Sequence, residues 1–340
     1  MIDPIASRRQ MIAGGGAATI GLLAGGSASP SIAAEPQRPH PTPPHPTAHG
    51  GPAMDIYYRT RNVSGIDIFY REAGPADAPT IVLLHGYPTS SRMYRRLIPM
   101  LADRYHVIAP DYPAFGQSAV PPRSSFAYTH QHLSEMMDGL MTALGIGRFG
   151  LYLMDFGGPI GYRIMLKRQA DFAGVVLQNT PAFGEETSPE TWGPLLAYWK
   201  SGSRADRDAA RFNLSERTIR GQYLTGVRDP SLIDPEGWTI DSLLIARPGV
   251  GDIMMDLLYD IRNNRQTVAQ AKEFLRTHQR QAMIATGVND PLFPGTSMKP
   301  PADMAGIEFH GVDSGHFALE DKWQEIGGYT RAFFERVFGA

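Results

Sequence analysis

The chain has 340 residues, 42% of them hydrophobic and 19% charged, which excludes a disordered or fibrous protein and allows one large or two small folded domains. Its formal charge is −2 and no Lys/Arg cluster is longer than a pair, so the counterion release that drives nucleic-acid binding is missing. The absence of Cys excludes disulfides, thiolate metal sites, iron–sulfur clusters and a Cys nucleophile.

At the N-terminus, Arg8-Arg9 precedes an uncharged, weakly apolar stretch running to Ala34. This pattern resembles a twin-arginine export signal over residues 1–33, with Ser31, Ile32 and Ala33 near a processing site, and implies a periplasmic or secreted protein. Six Gly in that stretch, each disfavouring a helix by about 1 kcal/mol relative to Ala, argue against a stable membrane span. Residues 34–53 hold seven Pro together with His40, His45 and His49. A Pro-rich segment is extended and solvated and does not preorganise metal ligands, so it reads as a spacer. The folded part is expected to start near Met54.

Thr80–Leu84 is a short apolar run ending before His85-Gly86 and predicts a strand buried on both faces. Ser90 or Ser91 caps a predicted helix through Ala102, with Met93, Leu97, Ile98 and Leu101 at helical spacing. The alternation continues with strands at 105–111, 149–154 and 173–178 and helices at 132–144 and 159–168. Such alternation implies a mostly parallel sheet covered by helices, an α/β fold. From about Thr180 to Thr277 the rhythm stops and helical patches appear, including 192–200 and 253–261. Nearly a hundred residues are too many for a loop, so residues 181–277 read as an inserted helical cap between core segments 54–180 and 278–340. Strands at 282–286 and 307–310 and a helix at 322–338 complete the core.

The most informative stretch runs from Leu151 to Pro159, where an apolar strand ends in Asp155 and Gly157-Gly158 open a helix. A sharp strand-to-helix turn lifts its central side chain into the open at the carboxyl edge of a sheet, and small neighbours permit it. Taken singly, Asp155 also reads as a helix cap, Asp290 before Pro291 as turn chemistry, and His316 as a core histidine. Together they resemble the α/β-hydrolase family, in the order nucleophile, acid, base. The resemblance covers residues 65 to 338. Leu153 stands where that family usually has a small residue, and Ala114, within Asp111–Ser118, where it commonly has Gly. The resemblance implies Asp155 as nucleophile, Asp290 as acid with Asp313 as the alternative, and His316 as base. His85-Gly86-Tyr87-Pro88 is similar to the family's oxyanion loop, which implies backbone N–H groups of Tyr87 and Phe156 as oxyanion donors.

A carboxylate nucleophile suits displacement of a leaving group from saturated carbon, giving an ester on the enzyme that water hydrolyses with His316 as base. The expected substrate is a small apolar organic molecule, with water as co-substrate and no metal or organic cofactor. Among resembling families with Asp here are epoxide hydrolases and haloalkane and fluoroacetate dehalogenases. Phe156 offers neither the Trp nor the Arg that the dehalogenases have after the nucleophile. Epoxide hydrolases use two cap tyrosines as acid, for which Tyr198 and Tyr259 are the candidates here and Tyr223 a substitute. Epoxide opening is therefore the expected activity, with dehalogenation as the alternative, its donors then sought among Trp192, Trp199, Trp238 and cap Asn and Gln residues. A non-catalytic ligand-binding protein on the same fold is the reading from a different class.

Overall fold

The computed structural model describes residues 55–184 and 189–339. The export-signal and spacer readings of residues 1–53 lie outside them. The described chain enters the fold through an antiparallel hairpin that the sequence reading did not single out. Its strands β1 (Ile56–Val63) and β2 (Ile66–Ala73) are joined by Ser64 and Gly65, both at positive φ, the conformation that suits a tight hairpin turn. Most of β1 is exposed, including Tyr57 and Tyr58, so it lacks the apolar alternation that marks a half-buried strand.

The next strands were legible because every residue is buried: β3 (Thr80–Leu84), β4 (His106–Pro110), β5 (Phe149–Met154) and β6 (Phe172–Gln178). With β7 (Ala282–Gly287) and β8 (Glu308–Val312) they form one eight-stranded sheet in the order β1-β2-β4-β3-β5-β6-β7-β8. β2 runs antiparallel to its two neighbours, and every pair from β4 to β8 is parallel.

The helix expected from Ser90 to Ala102 is broken. A 3₁₀ turn at Ser91–Arg95, capped by Ser90, is followed by the single-turn α1 (Ile98–Leu101). Pro99 explains the break, since it lacks the N–H that a continuous helix would use and is tolerated only in the first turn of a new one. α2 (His130–Ala143) starts where the Thr129 hydroxyl accepts from the His132 N–H at 3.1 Å, and α3 (Gly157–Lys167) follows β5 directly.

Among the described residues, six α-helices come between β6 and β7: α4 (Pro189–Ser201), α5 (Arg204–Ala210), α6 (Glu216–Leu224), α7 (Glu236–Ile245), α8 (Val250–Asp260) and α9 (Arg265–Thr277). Ser203 and Ser215 cap α5 and α6 through their hydroxyls. α9 packs along α3, with Phe274 edge-on to Phe172 of β6. After the short α10 (Gly295–Met298), α11 (Trp323–Phe338) closes the chain and buries Phe333 and Phe334, each contributing about 1.5–3 kcal/mol of apolar transfer free energy. Among the described residues, no helix is long and apolar enough to cross a membrane.

Candidate active site

The parallel strands bring five loops to one edge of the sheet. Tyr87 follows β3, Asp155 follows β5, Asn179 follows β6, Asp290 follows β7 and His316 follows β8, and these five strands are consecutive neighbours. Residues far apart in sequence therefore meet at the carboxyl ends of adjacent strands, where open parallel sheets bind ligands.

Asp155 occupies the turn between β5 and α3 at a φ of +50°. An L-residue there is strained, and it is held by three backbone contacts: its N–H donates to the Asn179 carbonyl at 3.1 Å, and its carbonyl accepts from the Gly158 N–H at 3.0 Å and the Thr180 hydroxyl at 2.7 Å. Gly157 and Gly158 are small because a Cβ on the first would lie 2.0 Å from the Leu84 carbonyl and one on the second 1.9 Å from the Thr180 hydroxyl. Leu153, large where the family pattern is small, fits because Gly161 on the first turns of α3 leaves it room; a Cβ there would come within 2.2 Å of the leucine.

The Asp155 carboxylate accepts the Tyr87 N–H at 2.6 Å and also the N–H of Phe156. The two donors expected at an oxyanion thus converge on this side chain. Burial pushes its carboxyl above the ordinary range, opposed by His316 and by these two N–H groups. His316 faces it with Nε2 4.0 Å from Oδ2, and Nε2 has no hydrogen-bond partner among the described residues. On the other side of the ring, Nδ1–H donates to Asp290 Oδ2 at 2.8 Å. Burial lowers the affinity of His316 for a proton, but the Asp290 and Asp155 carboxylates outweigh it and the net shift is upward. The ring is kept in place by Phe293, stacked at 5.9 Å, and Phe317 at 4.9 Å.

Asp313 stands elsewhere: it is exposed, accepting from Asn289 at 2.8 Å and pairing with Arg228 at 3.3 Å. His85 is buried, donating from Nδ1 to the Gly86 carbonyl at 2.9 Å, and burial pushes its pKa down to about 4. Its ring supports the loop below Tyr87 as a neutral group.

Asn179 was missed by the sequence reading. Its amide Nδ2 donates to Asp290 Oδ2 at 2.9 Å and to the Gly287 carbonyl at 3.0 Å, while Oδ1 accepts from the Gly287 N–H at 3.0 Å. Its φ of +42° suits Asn, but the only sequence signal was a polar residue closing an apolar strand. His130 was passed over as well. At the start of α2 its Nδ1 meets Asp260 Oδ2 at 3.0 Å, and its ring meets Phe156 edge-on at 4.6 Å.

Among the helices between β6 and β7, Tyr198 of α4 and Tyr259 of α8, sixty-one residues apart, stack with centroids 4.4 Å apart. Among the described residues neither hydroxyl hydrogen-bonds to Asp155, Asp290 or His316, and the Tyr259 hydroxyl lies against Gly202 in the exposed turn after α4. Tyr87 reaches the cap through its own hydroxyl, which donates to the Asn213 carbonyl at 2.8 Å. Trp199 Nε1–H is taken up by the Leu258 carbonyl at 2.7 Å, whereas the buried Trp192 Nε1–H has no hydrogen-bond partner among the described residues. Among the described residues no cluster of three or more His, Asp or Glu is arranged to hold a metal ion.

The alpha/beta hydrolase fold profile matches residues 79–322. The chain belongs to that family. This hydrolase is 36% identical over 268 residues to the uncharacterized hydrolase YNR064C of Saccharomyces cerevisiae, covering 78% of this chain and 92% of the relative. Its fold is similar to that of the haloalkane dehalogenase DbeA from Bradyrhizobium elkani, with a TM-score of 0.68 at 21% identity, covering 84% of this chain and 99% of that one. It is similar too to the epoxide hydrolase CorEH, with a TM-score of 0.63 at 18% identity and coverage of 83% and 100%.

Proposed function

We propose that this hydrolase opens epoxides through an ester formed on Asp155. The observation that carries the reading is a carboxylate, in place of a hydroxyl, on the strained turn, with both N–H donors already on it and His316–Asp290 facing it. In the first step an Asp155 oxygen attacks an epoxide carbon, the C–O bond breaks, and the departing oxygen takes a proton from a cap tyrosine. Tyr198 and Tyr259 are the candidate acids of this reading; their rings stack with centroids 4.4 Å apart, and the Tyr259 hydroxyl, which lies against Gly202, would have to turn toward Asp155 to serve. In the second step His316 Nε2 removes a proton from water, which attacks the Asp155 carbonyl carbon. The tetrahedral oxyanion rests on the Tyr87 and Phe156 N–H groups; on its collapse one of water's two protons goes from His316 to the departing alkoxide, completing the diol, and the other returns to the tyrosinate, restoring both the phenol and the Asp155 carboxylate. The Arg8-Arg9 pair supports export as part of the same reading; replacing both by Lys should strand the protein in the cytoplasm, read by fractionation.

The test is single turnover in oxygen-18 water with a panel of epoxides and of chlorinated and fluorinated substrates. Label should enter Asp155 before it reaches product, and Tyr259→Phe should slow alkylation more than ester hydrolysis. Label in the first-turnover product would refute the ester mechanism. Failure to trap any ester would favour a binding protein.

Dehalogenation is the second reading, and Trp192 supports it. Its unpartnered indole N–H belongs to a ring 6.1 Å from Phe293, which stacks on His316. A halide needs only such a donor and no proton. Halide release faster than the opening of any epoxide would put this reading first.

A further inference from the structure

Helix α7 carries a buried acidic group beside the Tyr87 loop that neither hydrolytic step uses. Asp241 of α7 is 1% exposed. Its Oδ2 accepts from the hydroxyl of Tyr223, on α6, at 2.5 Å, and the hydroxyl of Thr89, two residues past Tyr87, interacts with both groups. Among the described residues its Oδ1 is buried with no hydrogen-bond partner. The Tyr223 ring stacks on Phe317, the neighbour of His316, with centroids 4.2 Å apart and planes 18° from parallel. One cap cluster therefore touches both the loop that carries an oxyanion donor and the turn that carries the base.

We infer that Asp241 and Tyr223 are positioning residues, a clamp that holds the Tyr87 loop and the His316 turn in register when Asp241 is protonated and loosens when it ionises. The physical reason is the unpartnered Oδ1: a neutral carboxyl tolerates burial there, while a carboxylate leaves charge on an oxygen without a donor. The groups facing Asp241 do not supply the missing neutralisation. Tyr223 faces it from α6, Tyr87 and Thr89 from the loop after β3, Arg92 from the 3₁₀ turn and Glu320 from beyond His316. Arg92 is already shared with Asp234 at 3.2 Å and Glu236 at 3.6 Å, and Glu320 is taken up by Arg95 at 2.7 Å. Burial, ahead of the bonds from Tyr223 and Thr89, pushes the Asp241 carboxyl up to about 7. Because the closed arrangement holds this proton more tightly than an open one, the clamp is strongest in acid and weakens as pH rises through about 7.

The inference rests on the proposed function only in that Tyr87 and His316 serve the reaction, and the first test needs no substrate. Trp238 meets Tyr223 edge-on at 6.0 Å, so tryptophan fluorescence of the full chain should change across neutral pH, and Asp241→Asn should lose that change. In turnover, the rate should fall on the alkaline side of neutrality in the wild type. Asp241→Asn, which still accepts from Tyr223 but does not ionise, should keep the rate below neutrality to within about twofold and abolish the alkaline fall. Asp241→Ala should lower kcat on both sides of neutrality with less change in KM. A merely structural Asp241 would give the Asn variant an unaltered profile shape. A fluorescence transition that persists in Asp241→Asn, or a wild-type rate with no alkaline fall, would overturn the clamp. If the wild type turns over no substrate, the proposed function fails while the fluorescence titration still decides the clamp.

Discussion

At the residue scale, His316 and Asp290 behave as one unit. In the proposed mechanism His316 acts as base in its neutral form; burial lowers its affinity for a proton, and Asp290 lifts it. Ester hydrolysis is therefore expected to rise with pH along a limb with its midpoint set by His316, whose affinity for a proton Asp290 raises, while the Asp155 carboxylate, esterified at that stage, no longer adds to it. Asp290→Asn should move that midpoint to lower pH and slow hydrolysis by about 10²-fold, measured on ester preformed in a rapid-mixing experiment. The stability sign follows from the same shift. A raised histidine contributes stability that is full below about 6.5 and is lost as pH rises through the folded value. Asn179 carries a separate expectation. Removing its amide in Asn179→Ala leaves buried partners on Asp290 and Gly287 unmet, so the fold should lose about 1–3 kcal/mol in urea unfolding. On the proposed mechanism ester hydrolysis should slow more than alkylation, since Asn179 holds Asp290, the partner of His316. An unchanged unfolding midpoint would show that water replaces the amide fully.

At the scale of elements, the turn after β5 depends on a pair that a motif scan treats as two irregularities. Leu153 is oversized on the strand, and Gly161 is a weak helix former on α3, yet each makes room for the other. Gly161→Ala is expected to destabilise by about 1–3 kcal/mol through overpacking, despite the better helix propensity of Ala. Adding Leu153→Ala should recover part of that loss, with a coupling of about 0.5–3 kcal/mol in a thermal-unfolding double-mutant cycle. Strict additivity would mean the two side chains do not share the space. Pro99 acts similarly at element level: periodicity from Met93 to Leu101 reads as one helix, and a single absent N–H divides it.

At the scale of the molecule, the eight strands and their helices begin at Ile56, directly after the Pro-rich stretch. A chain shortened to start at Met54 is expected to unfold at the same temperature and to turn over substrate at the same rate, because the hairpin β1–β2 is complete within it. A fall in either would assign the preceding residues a part in the fold or the site. The order of the strands also explains why residues from five separated loops act together: a parallel sheet delivers every carboxyl end to the same edge.

What the sequence determined by itself was whatever depends on neighbours along the chain. Continuous apolar runs marked β3 to β7, helical spacing marked α2, α3 and α11, and an acidic residue followed by two glycines marked the turn at Asp155. The order of Asp155, Asp290 and His316 is likewise a property of the chain, and the resemblance it carried pointed to a fold that the sheet order and the family match bear out. Only the tertiary structure decided which groups meet across elements. It set Asp290 rather than Asp313 beside His316, placed Asn179 behind Asp290, turned the Tyr259 hydroxyl toward Gly202, and buried Asp241 of α7 against Tyr223 of α6. None of these has a periodic or motif signature, because burial and hydrogen bonding between distant segments depend on how helices and loops pack in space. The exposed strand β1 is the same lesson at low burial: without a buried face it leaves no pattern, and only its pairing with β2 makes it a strand.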